Sequence, residues 1–394
     1  MADLSQLVER MRPFSTSVFG AMSARATELG AVNLGQGFPD TDGPVELKEI
    51  AAQAIADGSG NQYPPAHGLP DLRLAIAEHQ QRFYELTVDP ATDVVVTTGA
   101  SEALAAAVIG LVSAGDEVIV FEPYFDLYPA IVAMAGATPV YVPLHAPEPG
   151  SGDGFTLDIN ALRLAVTPRT RMVIVNSPHN PTGMVLSHLE LRQIANLAIV
   201  HDLIVLSDEA YEHLTYDDFA HIPIATLSGM FERTVTVGSG GKCFSFTGWK
   251  VGWASGPTDL ITAVRVVRQH LSYVSGGPFQ PAIAAGLRLP DAYFADLAGG
   301  LADKRDLLSA GLSEIGFEVL PTKGTYFITT DIRPLGLTDG IEFCRDLVER
   351  VGVAAIPNAE LAANRDMFQP YIRWTFCKQP SVLNAALDRL SVLR

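Results

Sequence analysis

Short apolar runs rich in β-branched residues alternate with amphipathic stretches through the middle of the chain, from about residue 93 to residue 256. Runs such as VVVTT and RMVIVN are typical of buried strands, and the stretches between several of them have helical periodicity. The predicted strands are 94–98, 117–121, 138–143, 171–176, 203–207, 234–237 and 251–254. The predicted helices are 101–112, 127–135, 188–200 and 260–273. Strands joined through helices form a mostly parallel sheet covered on both faces, so we predict an α/β fold.

The pattern changes after residue 290. A long helix is predicted at 292–315, followed by strands at 317–320, 326–330 and 372–376 and a helix at 340–351. This arrangement is typical of a smaller α+β domain. At the other end, the turn-rich segment NLGQGFPDTDGP precedes the first long helix that the pattern predicts, at 45–57.

With 394 residues the chain exceeds the usual size of a single core, so more than one domain is expected. We expect an N-terminal arm that includes part of the small domain at 1–44. We further expect a large domain at 45–290 and a small C-terminal domain at 291–394.

Charge and cysteine content narrow the functional class. Lys and Arg total 27 against 44 Asp and Glu, a formal charge of −17, which argues against a protein that binds nucleic-acid backbones. The 3 cysteines are an odd number, lie far apart and form no CxxC pair, as expected in a reducing compartment. The start, MADLSQLVERMRP, lacks a signal-peptide core, and no later window approaches a membrane span. We therefore expect a cytoplasmic protein that contacts neither membrane nor nucleic acid.

Ligands of open α/β sheets bind beyond the carboxyl ends of the strands, so the residues that follow each strand are the candidates. After VVVTT, a turn with Ala100 and Ser101 opens a helix whose N-terminus suits a phosphate, although this feature taken alone is more often an ordinary helix cap. After RMVIVN, the loop SPHNPTG presents the amide of Asn180. We interpret His179 in that loop as a packing residue. No second histidine lies at ligand spacing, so no metal site is predicted.

Two further loops carry ionisable groups. Asp208 ends a buried strand and must meet a cation or donor there, or else cap a helix, and Tyr211 follows it closely. The loop GSGGKCFSFTGWK contains Ser239, Lys242 and Lys250 between apolar flanks, where the ammonium pKa can fall enough for imine chemistry. It matches no Walker loop, and its cysteine is interpreted as a packing residue. A phosphate site, an imine lysine, an acid for a ring nitrogen and two donors for a phenolic oxygen together indicate pyridoxal phosphate.

These motifs resemble, over nearly the whole chain, the fold-type I pyridoxal-phosphate aminotransferases of class I/II. The resemblance implies that Lys242 binds the cofactor covalently, that Asp208 pairs with the pyridinium nitrogen, and that Tyr211 and Asn180 bond its phenolic oxygen. The implied phosphate ligands are Ala100, Ser101, Ser239 and Lys250. At the last of these positions the family more often has arginine, so the contact would be a point charge instead of a fork.

The same resemblance implies further roles. Phe125, in EPYFDLY, would stack on the cofactor ring, and Arg373, in YIRWTF, would bind the α-carboxylate of the substrate. Tyr63, in NQYPP, would reach the phosphate of the neighbouring subunit, which implies a homodimer with shared active sites. Phe19 and Gly37 would line the substrate pocket.

Within the family, EPYFD and NSPHNPTG resemble the branch of kynurenine and glutamine transaminases. The segments AVNLGQGFPD, YVSGGPFQPA and VGVAAIP are similar to the N-succinyldiaminopimelate aminotransferases of actinobacteria. This likeness implies amino transfer from glutamate to N-succinyl-2-amino-6-oxopimelate, in diaminopimelate and lysine synthesis. Gly276 and Gly277 stand where the kynurenine enzymes carry a histidine-containing stretch, and we expect a roomier pocket there.

Alternatives remain open at this point. The chain could be a transaminase of the kynurenine, glutamine or methionine type, or a carbon–sulfur β-lyase, since the same fold and cofactor support elimination. A non-catalytic regulator is disfavoured, because residues 1–45 are too short and too poor in basic residues for a DNA-binding domain.

Overall fold

The computed structural model describes residues 6–15 and 17–394. The helices are α1 (Val18–Leu29), α2 (Val45–Ala56), α3 (Pro70–Tyr84), α4 (Gly99–Leu111), α5 (Leu127–Met134), α6 (Ile159–Ala165), α7 (His188–Val200), α8 (Gly240–Cys243), α9 (Thr258–Leu271), α10 (Phe279–Leu287), α11 (Asp291–Ile315), α12 (Gly340–Asp346), α13 (Arg365–Phe368) and α14 (Pro380–Leu390). The strands are β1 (Val32–Asn33), β2 (Val94–Thr98), β3 (Glu117–Glu122), β4 (Thr138–Pro143), β5 (Thr170–Asn176), β6 (Ile204–Asp208), β7 (Thr234–Ser239), β8 (Val251–Ser255), β9 (Glu318–Val319), β10 (Phe327–Asp331), β11 (Val353–Ala354), β12 (Ile356–Pro357) and β13 (Tyr371–Thr375).

A seven-stranded sheet forms the centre of the molecule, in the order β2-β8-β7-β6-β5-β3-β4. The strands from β7 to β4 are parallel to one another. Only β8 runs against its neighbours, pairing antiparallel with both β2 and β7. The predicted α/β fold with a mostly parallel sheet is therefore confirmed.

Both faces of this sheet are buried, which explains the continuous apolar strands. Along β3, Val118 and Val120 join a cluster with helices α4, α5 and α9, whereas Ile119 and Phe121 join a cluster with α6 and α7 on the other face. Alternate side chains of a strand point to opposite faces, so the apolar run VIVF within this strand serves two cores. The carboxyl ends of the parallel strands remain free for a ligand.

A second, four-stranded antiparallel sheet lies in the C-terminal part, in the order β12-β13-β10-β9. It shares a core with α11 and α14, in which Leu308, Leu312 and Trp374 are fully buried. The N-terminal segment joins this part of the molecule, because β1 pairs in parallel with β11.

Several helices were not predicted from the pattern: α1, α3, α6, α8, α10, α13 and α14. Because α1 precedes α2, the helix expected at 45–57 is not the first long one. Helix α3 buries alanines and a histidine besides Leu72 and Ile76, so its apolar stripe is weak. The helix expected at 340–351 is α12 followed by a π-helical turn over Leu347–Val351.

Among the described residues, no helix combines the length and the apolar character needed to cross a bilayer.

Candidate active site

A cleft with an empty volume of about 660 Å³, including its mouth, opens at the carboxyl ends of β5, β6 and β7. This is the position at which open α/β sheets bind ligands. The structure brings most of the predicted site residues together there: Ala100, Ser101, Phe125, Asn180, Asp208, Tyr211, Ser239, Lys242 and Lys250. These residues come from separate loops that converge only in the folded chain.

Lys242 lies in the short helix α8, directly after β7. The hydroxyl of Ser239 caps this helix by accepting a hydrogen bond from the backbone N–H of Gly241, at 3.2 Å. The Lys242 ammonium donates to the hydroxyl of Tyr326 at 3.1 Å, and that hydroxyl donates to the carbonyl of Gly37 at 2.7 Å. Burial lowers the pKa of Lys242 to about 8, so a large fraction of the amine is unprotonated in mildly alkaline solution.

Asp208 is the last residue of β6 and is 5% exposed. Its carboxylate accepts hydrogen bonds from the hydroxyl of Tyr128 at 2.6 Å and from the backbone N–H of Ala210 at 3.2 Å. Burial raises the pKa of Asp208, and these two hydrogen bonds together with the Lys242 charge oppose the rise. The carboxyl group is thus held in place by donors, and a cationic group bound in the cleft would stabilise its ionised form.

One end of the cleft suits an anion. Helix α4 begins at Gly99, whose φ of +71° is easily reached only without a side chain. A Cβ atom at Gly99 would lie 3.3 Å from the ammonium of Lys250, so the cation sits at the start of this helix. The site combines the N-terminal backbone N–H groups and dipole of α4 with the hydroxyls of Ser101 and Ser239 and the ammonium of Lys250. Such a combination is of the kind that binds phosphate.

Arg373, in β13, is 1% exposed and lies next to Asn180, which lines the cleft. Its guanidinium donates to Oδ1 of Asn180 at 2.8 Å and to the carbonyl of Gly35 at 2.6 Å. The rings of Phe327 and Phe19 lie against it, with centroids 4.0 and 4.7 Å from Cζ. Nε has no partner among the described residues. Burial lowers the pKa of Arg373 to about 10, so it remains a cation at neutral pH, and its Nε–H stays available to a ligand.

Sequence reasoning missed Tyr128 and Tyr326, the tyrosines that hold Asp208 and Lys242. A weak signal existed for Tyr128, because EPYFDLY places it close to Phe125 at the start of α5. The motif GTYF contains Tyr326, but nothing in its spacing indicates that the hydroxyl reaches Lys242. These contacts join distant parts of the chain.

Four expected residues lie outside the set that lines the cleft: Arg373, which reaches it through Asn180, and Phe19, Gly37 and Tyr63. Phe19 packs on Arg373, and Gly37 contributes its carbonyl to Tyr326. Tyr63 is 79% exposed and meets Tyr273 edge to face, with ring centroids 5.5 Å apart.

The two residues interpreted as packing residues are both buried. His179 is 3% exposed, its Nδ1 lies 2.7 Å from the hydroxyl of Thr182, and burial lowers its pKa to about 3. Cys243 is 5% exposed, and burial raises the pKa of its thiol well above the usual value. Neither side chain lines the cleft.

The glycines expected to enlarge the pocket have a packing explanation. A Cβ atom at Gly277 would lie 2.6 Å from the carbonyl oxygen of Gly60, so the backbones are already in contact there. At Gly276 a Cβ would meet only Phe279 and Val251 at ordinary distances of 3.5 Å, but φ is +46°. Close packing and backbone conformation therefore account for both residues within one protomer, and the expectation of a roomier pocket finds no support at Gly277.

The residues of this cleft fit pyridoxal phosphate. The anion end, the amine of Lys242 and the carboxylate of Asp208 line one continuous space. The unpartnered Nε of Arg373 fits a carboxylate-bearing substrate beside it.

The chain belongs to the class I and II aminotransferases, whose family model matches residues 30–390. It is 53% identical, over 98% of both chains, to a probable N-succinyldiaminopimelate aminotransferase of Mycobacterium tuberculosis. The solved structure of N-succinyldiaminopimelate aminotransferase from that organism matches it with a TM-score of 0.95, covering 98% of this chain and 100% of the other. It is also 38% identical to methionine aminotransferase of Escherichia coli, over 98% of this chain and 97% of the relative. The chain is therefore an aminotransferase of amino acids and oxo acids, and its cofactor is pyridoxal phosphate.

Proposed function

We propose that Lys242 carries the cofactor and that the phosphate binds where helix α4 begins. The proposal is supported by the partly buried position of Lys242, its lowered pKa and the anion site that lines the same cleft. The proposed phosphate ligands are Ala100, Ser101, Ser239 and Lys250. In this arrangement the ring lies beside Phe125, which lines the same cleft.

Asp208 would then face the ring nitrogen and keep it protonated. Its carboxylate is preorganised by Tyr128, and burial raises its pKa, so a cationic partner favours the ionised form. Asn180 and Tyr211 would supply donors to the phenolic oxygen. The oxygen of the Asn180 amide is occupied by Arg373, which leaves the amide nitrogen as its donor.

When bound, pyridoxal phosphate supplies an electron sink for the charge that develops at the substrate Cα. Lys242 would do the proton transfer. Once its Nζ is free, the amine takes the Cα proton and later returns a proton to the reacting carbon, a general acid–base role that its lowered pKa favours. Tyr326, bonded to Nζ, would orient the amine.

Arg373 would bind the substrate's α-carboxylate. Two of its donors are already satisfied by Asn180 and Gly35, so the guanidinium cannot rotate freely. Its other N–H groups, including the Nε–H that has no partner among the described residues, and its charge attract a carboxylate. The rings of Phe19 and Phe327, which lie against the guanidinium, keep water away.

We infer further that glutamate is the amino donor and N-succinyl-2-amino-6-oxopimelate the acceptor, in diaminopimelate and lysine synthesis. The 53% identity to the M. tuberculosis relative, extending over 98% of both chains, is the observation that carries this choice. A methionine-type transaminase is the second candidate, because the E. coli methionine aminotransferase is 38% identical over nearly the whole chain.

A panel of oxo-acid acceptors assayed with glutamate tests the substrate. We expect the highest kcat/KM with N-succinyl-2-amino-6-oxopimelate. The reaction can be followed with glutamate as the amino donor or in the reverse direction. Equal or higher kcat/KM with 4-methylthio-2-oxobutanoate, or equal turnover of kynurenine, would overturn the choice and leave the transaminase assignment intact. Cystathionine serves as the control for β-lyase activity, because elimination yields pyruvate and ammonia when no oxo-acid acceptor has been added.

We also propose a homodimer in which Tyr63 reaches the phosphate of the partner's site. The large exposed fraction of this tyrosine supports a role outside its own protomer.

The proposed domain division at residues 44 and 290 is supported by the pairing of β1 with β11, which attaches the N-terminal segment to the C-terminal part. The three cysteines are all buried and unpaired, in line with a reducing cytoplasm.

A further inference from the structure

A buried group of metal-binding side chains lies outside the cleft, where helix α3 meets the segment that follows β6. It consists of His79, Glu212 and His213, whose ligand atoms all lie within 4.8 Å of one another. The Nε2 atoms of the two histidines are 2.7 Å apart, and Oε1 of Glu212 is 4.0 Å from Nε2 of His79. The two histidines are separated by 134 positions, so no spacing rule could have found the group.

The orientation of His79 is fixed by the backbone. Its Nδ1 lies 3.2 Å from the carbonyl oxygen of Leu287, and a carbonyl can only accept. Nδ1 therefore carries the hydrogen, and Nε2 presents its lone pair to His213 and Glu212. Metal-bound histidines are usually held in this way, with the second nitrogen donating to a carbonyl. Glu212 is positioned in turn by a hydrogen bond from the hydroxyl of Tyr84.

A small cavity adjoins the group. His79 and Glu212 line a space of about 10 Å³, which is the room that about one water-sized particle needs. Gln80 lines the same space and is 5% exposed. Its Nε2 donates to Ser255 at 2.6 Å, but its Oε1 has no partner within the described part of the chain. A buried amide oxygen without a donor is an independent sign that a cation or a donor belongs there.

We propose that His79, Glu212 and His213 bind a divalent transition-metal ion, with zinc the best fit. Two imidazole nitrogens and one carboxylate oxygen are the ligand types that zinc prefers, with a fourth position left for the Gln80 oxygen or water. Zinc–nitrogen bonds of about 2.0–2.1 Å in a tetrahedron need nitrogens about 3.3 Å apart, so the rings would separate by a fraction of an ångström. The proton between the two Nε2 atoms would move to Nδ1 of His213.

Two carboxylates lie at the group. Burial raises the pKa of Glu212, and a metal ion beside it would stabilise the ionised form. Glu209 lines the same cavity, but its carboxylate is already paired with Nε2 of His221 at 2.9 Å. The nearby guanidinium of Arg82 is paired with Asp291 at 3.3 Å, which reduces its repulsion of a metal ion.

Metal binding here would tie two elements together. Glu212 and His213 follow Asp208 and Tyr211 in the segment after β6, whereas His79 belongs to α3. An ion would therefore clamp α3 to the segment that lines the active site. This inference concerns metal binding and stability and does not depend on which oxo acid the enzyme uses.

The test is a titration of chelator-treated holoenzyme with Co²⁺ and then Zn²⁺. We expect one Co²⁺ per chain, with the visible absorption of a tetrahedral complex, displaced by Zn²⁺, and a rise in Tm with Zn²⁺. His213→Gln should weaken binding at least tenfold and abolish the rise in Tm. His201→Gln, which removes an exposed histidine at the end of α7, is the matched control and should bind as the original chain does.

Two results would overturn the proposal: no saturable metal binding by the original holoenzyme, or equal affinity in His213→Gln. Should His213→Gln fail to fold, as judged by circular dichroism and cofactor absorbance, Glu212→Gln carries the same comparison. That amide keeps the shape of the carboxylate and removes its charge, and it should also weaken binding at least tenfold. Unchanged affinity in that variant would equally overturn the proposal.

Discussion

The hydroxyl of Tyr128 donates a 2.6 Å hydrogen bond to the carboxylate of Asp208, from α5 to the end of β6. A buried carboxylate is costly without such donors, and burial raises the pKa of Asp208 even with this bond in place. Tyr128 therefore has a definite task in this site: it keeps Asp208 oriented, and closer to its ionised form, for the cofactor ring.

Tyr128→Phe should weaken cofactor binding. Hydrogen bonds to charged groups contribute about 1.5–3 kcal/mol, so the Kd for pyridoxal phosphate should rise by about tenfold or more. Titration of apoenzyme with cofactor measures this. Tyr124→Phe is the control, because that hydroxyl bonds Tyr141 instead of Asp208. An unchanged Kd in Tyr128→Phe would mean that Asp208 does not depend on this bond.

Arg373→Lys should lower kcat/KM for every amino acid tested. Lysine keeps the charge but loses the planar fork, and the loss of one charge-assisted bond of about 1.5–3 kcal/mol corresponds to about 10- to 150-fold. Arg333→Lys is the control, since that arginine pairs with Asp331 outside the cleft. A loss confined to one substrate would show that Arg373 recognises a side chain and not the α-carboxylate.

Lys242→Met should stabilise the apoenzyme at neutral pH. The pKa of Lys242 falls from 10.5 to about 8 on folding, because burial disfavours the ammonium. A lowered lysine pKa reduces stability below the folded pKa, and the penalty fades as pH rises from 8 toward 10.5. At pH 7 the difference corresponds to about 3 kcal/mol.

Urea unfolding of both apoenzymes at pH 7.5 and 9.5, at equal protomer concentration, checks this expectation. The advantage of Lys242→Met should be smaller at the higher pH. A constant difference, or an original chain that is more stable at pH 7.5, would show that the ammonium is compensated in the folded protein.

Mixed dimers test the shared active site. Tyr63→Ala and Lys242→Ala should each be impaired alone, whereas a dimer with one copy of each should contain one intact site. We expect activity to reappear after the two variants are unfolded and refolded together. Refolding each variant alone provides the control, and a mixture no more active than the sum of its parts would place Tyr63 in its own protomer's site.

The α/β fold could be predicted because strands such as EVIVFE are buried on both faces and carry an unbroken apolar run, VIVF, between their terminal glutamates. The reversed direction of β8 could not, since VGWAS is buried whichever way it runs. Helix α3 was missed because it buries alanine, histidine and glutamine in place of a strong apolar stripe.

For the site, Arg373 was nominated only through the resemblance to the family. Lys242 and Asp208 could be nominated from the residues themselves, because each follows a predicted strand. Their partners Tyr128 and Tyr326 were not nominated, since those contacts depend on how separate segments pack. The interpretation of Gly277 as open space failed for the same reason: the carbonyl of Gly60, far away in sequence, occupies that position.

The attachment point of the cofactor is the central claim, and borohydride reduction of the holoenzyme followed by peptide mass mapping tests it most directly. Lys242 is partly buried in the cleft, with a pKa lowered to about 8, whereas Lys250 lies beside Gly99 at the start of α4. We predict a phosphopyridoxyl group on Lys242 and none on Lys250. Label on Lys250, with Lys242 unmodified, would contradict the account of the site.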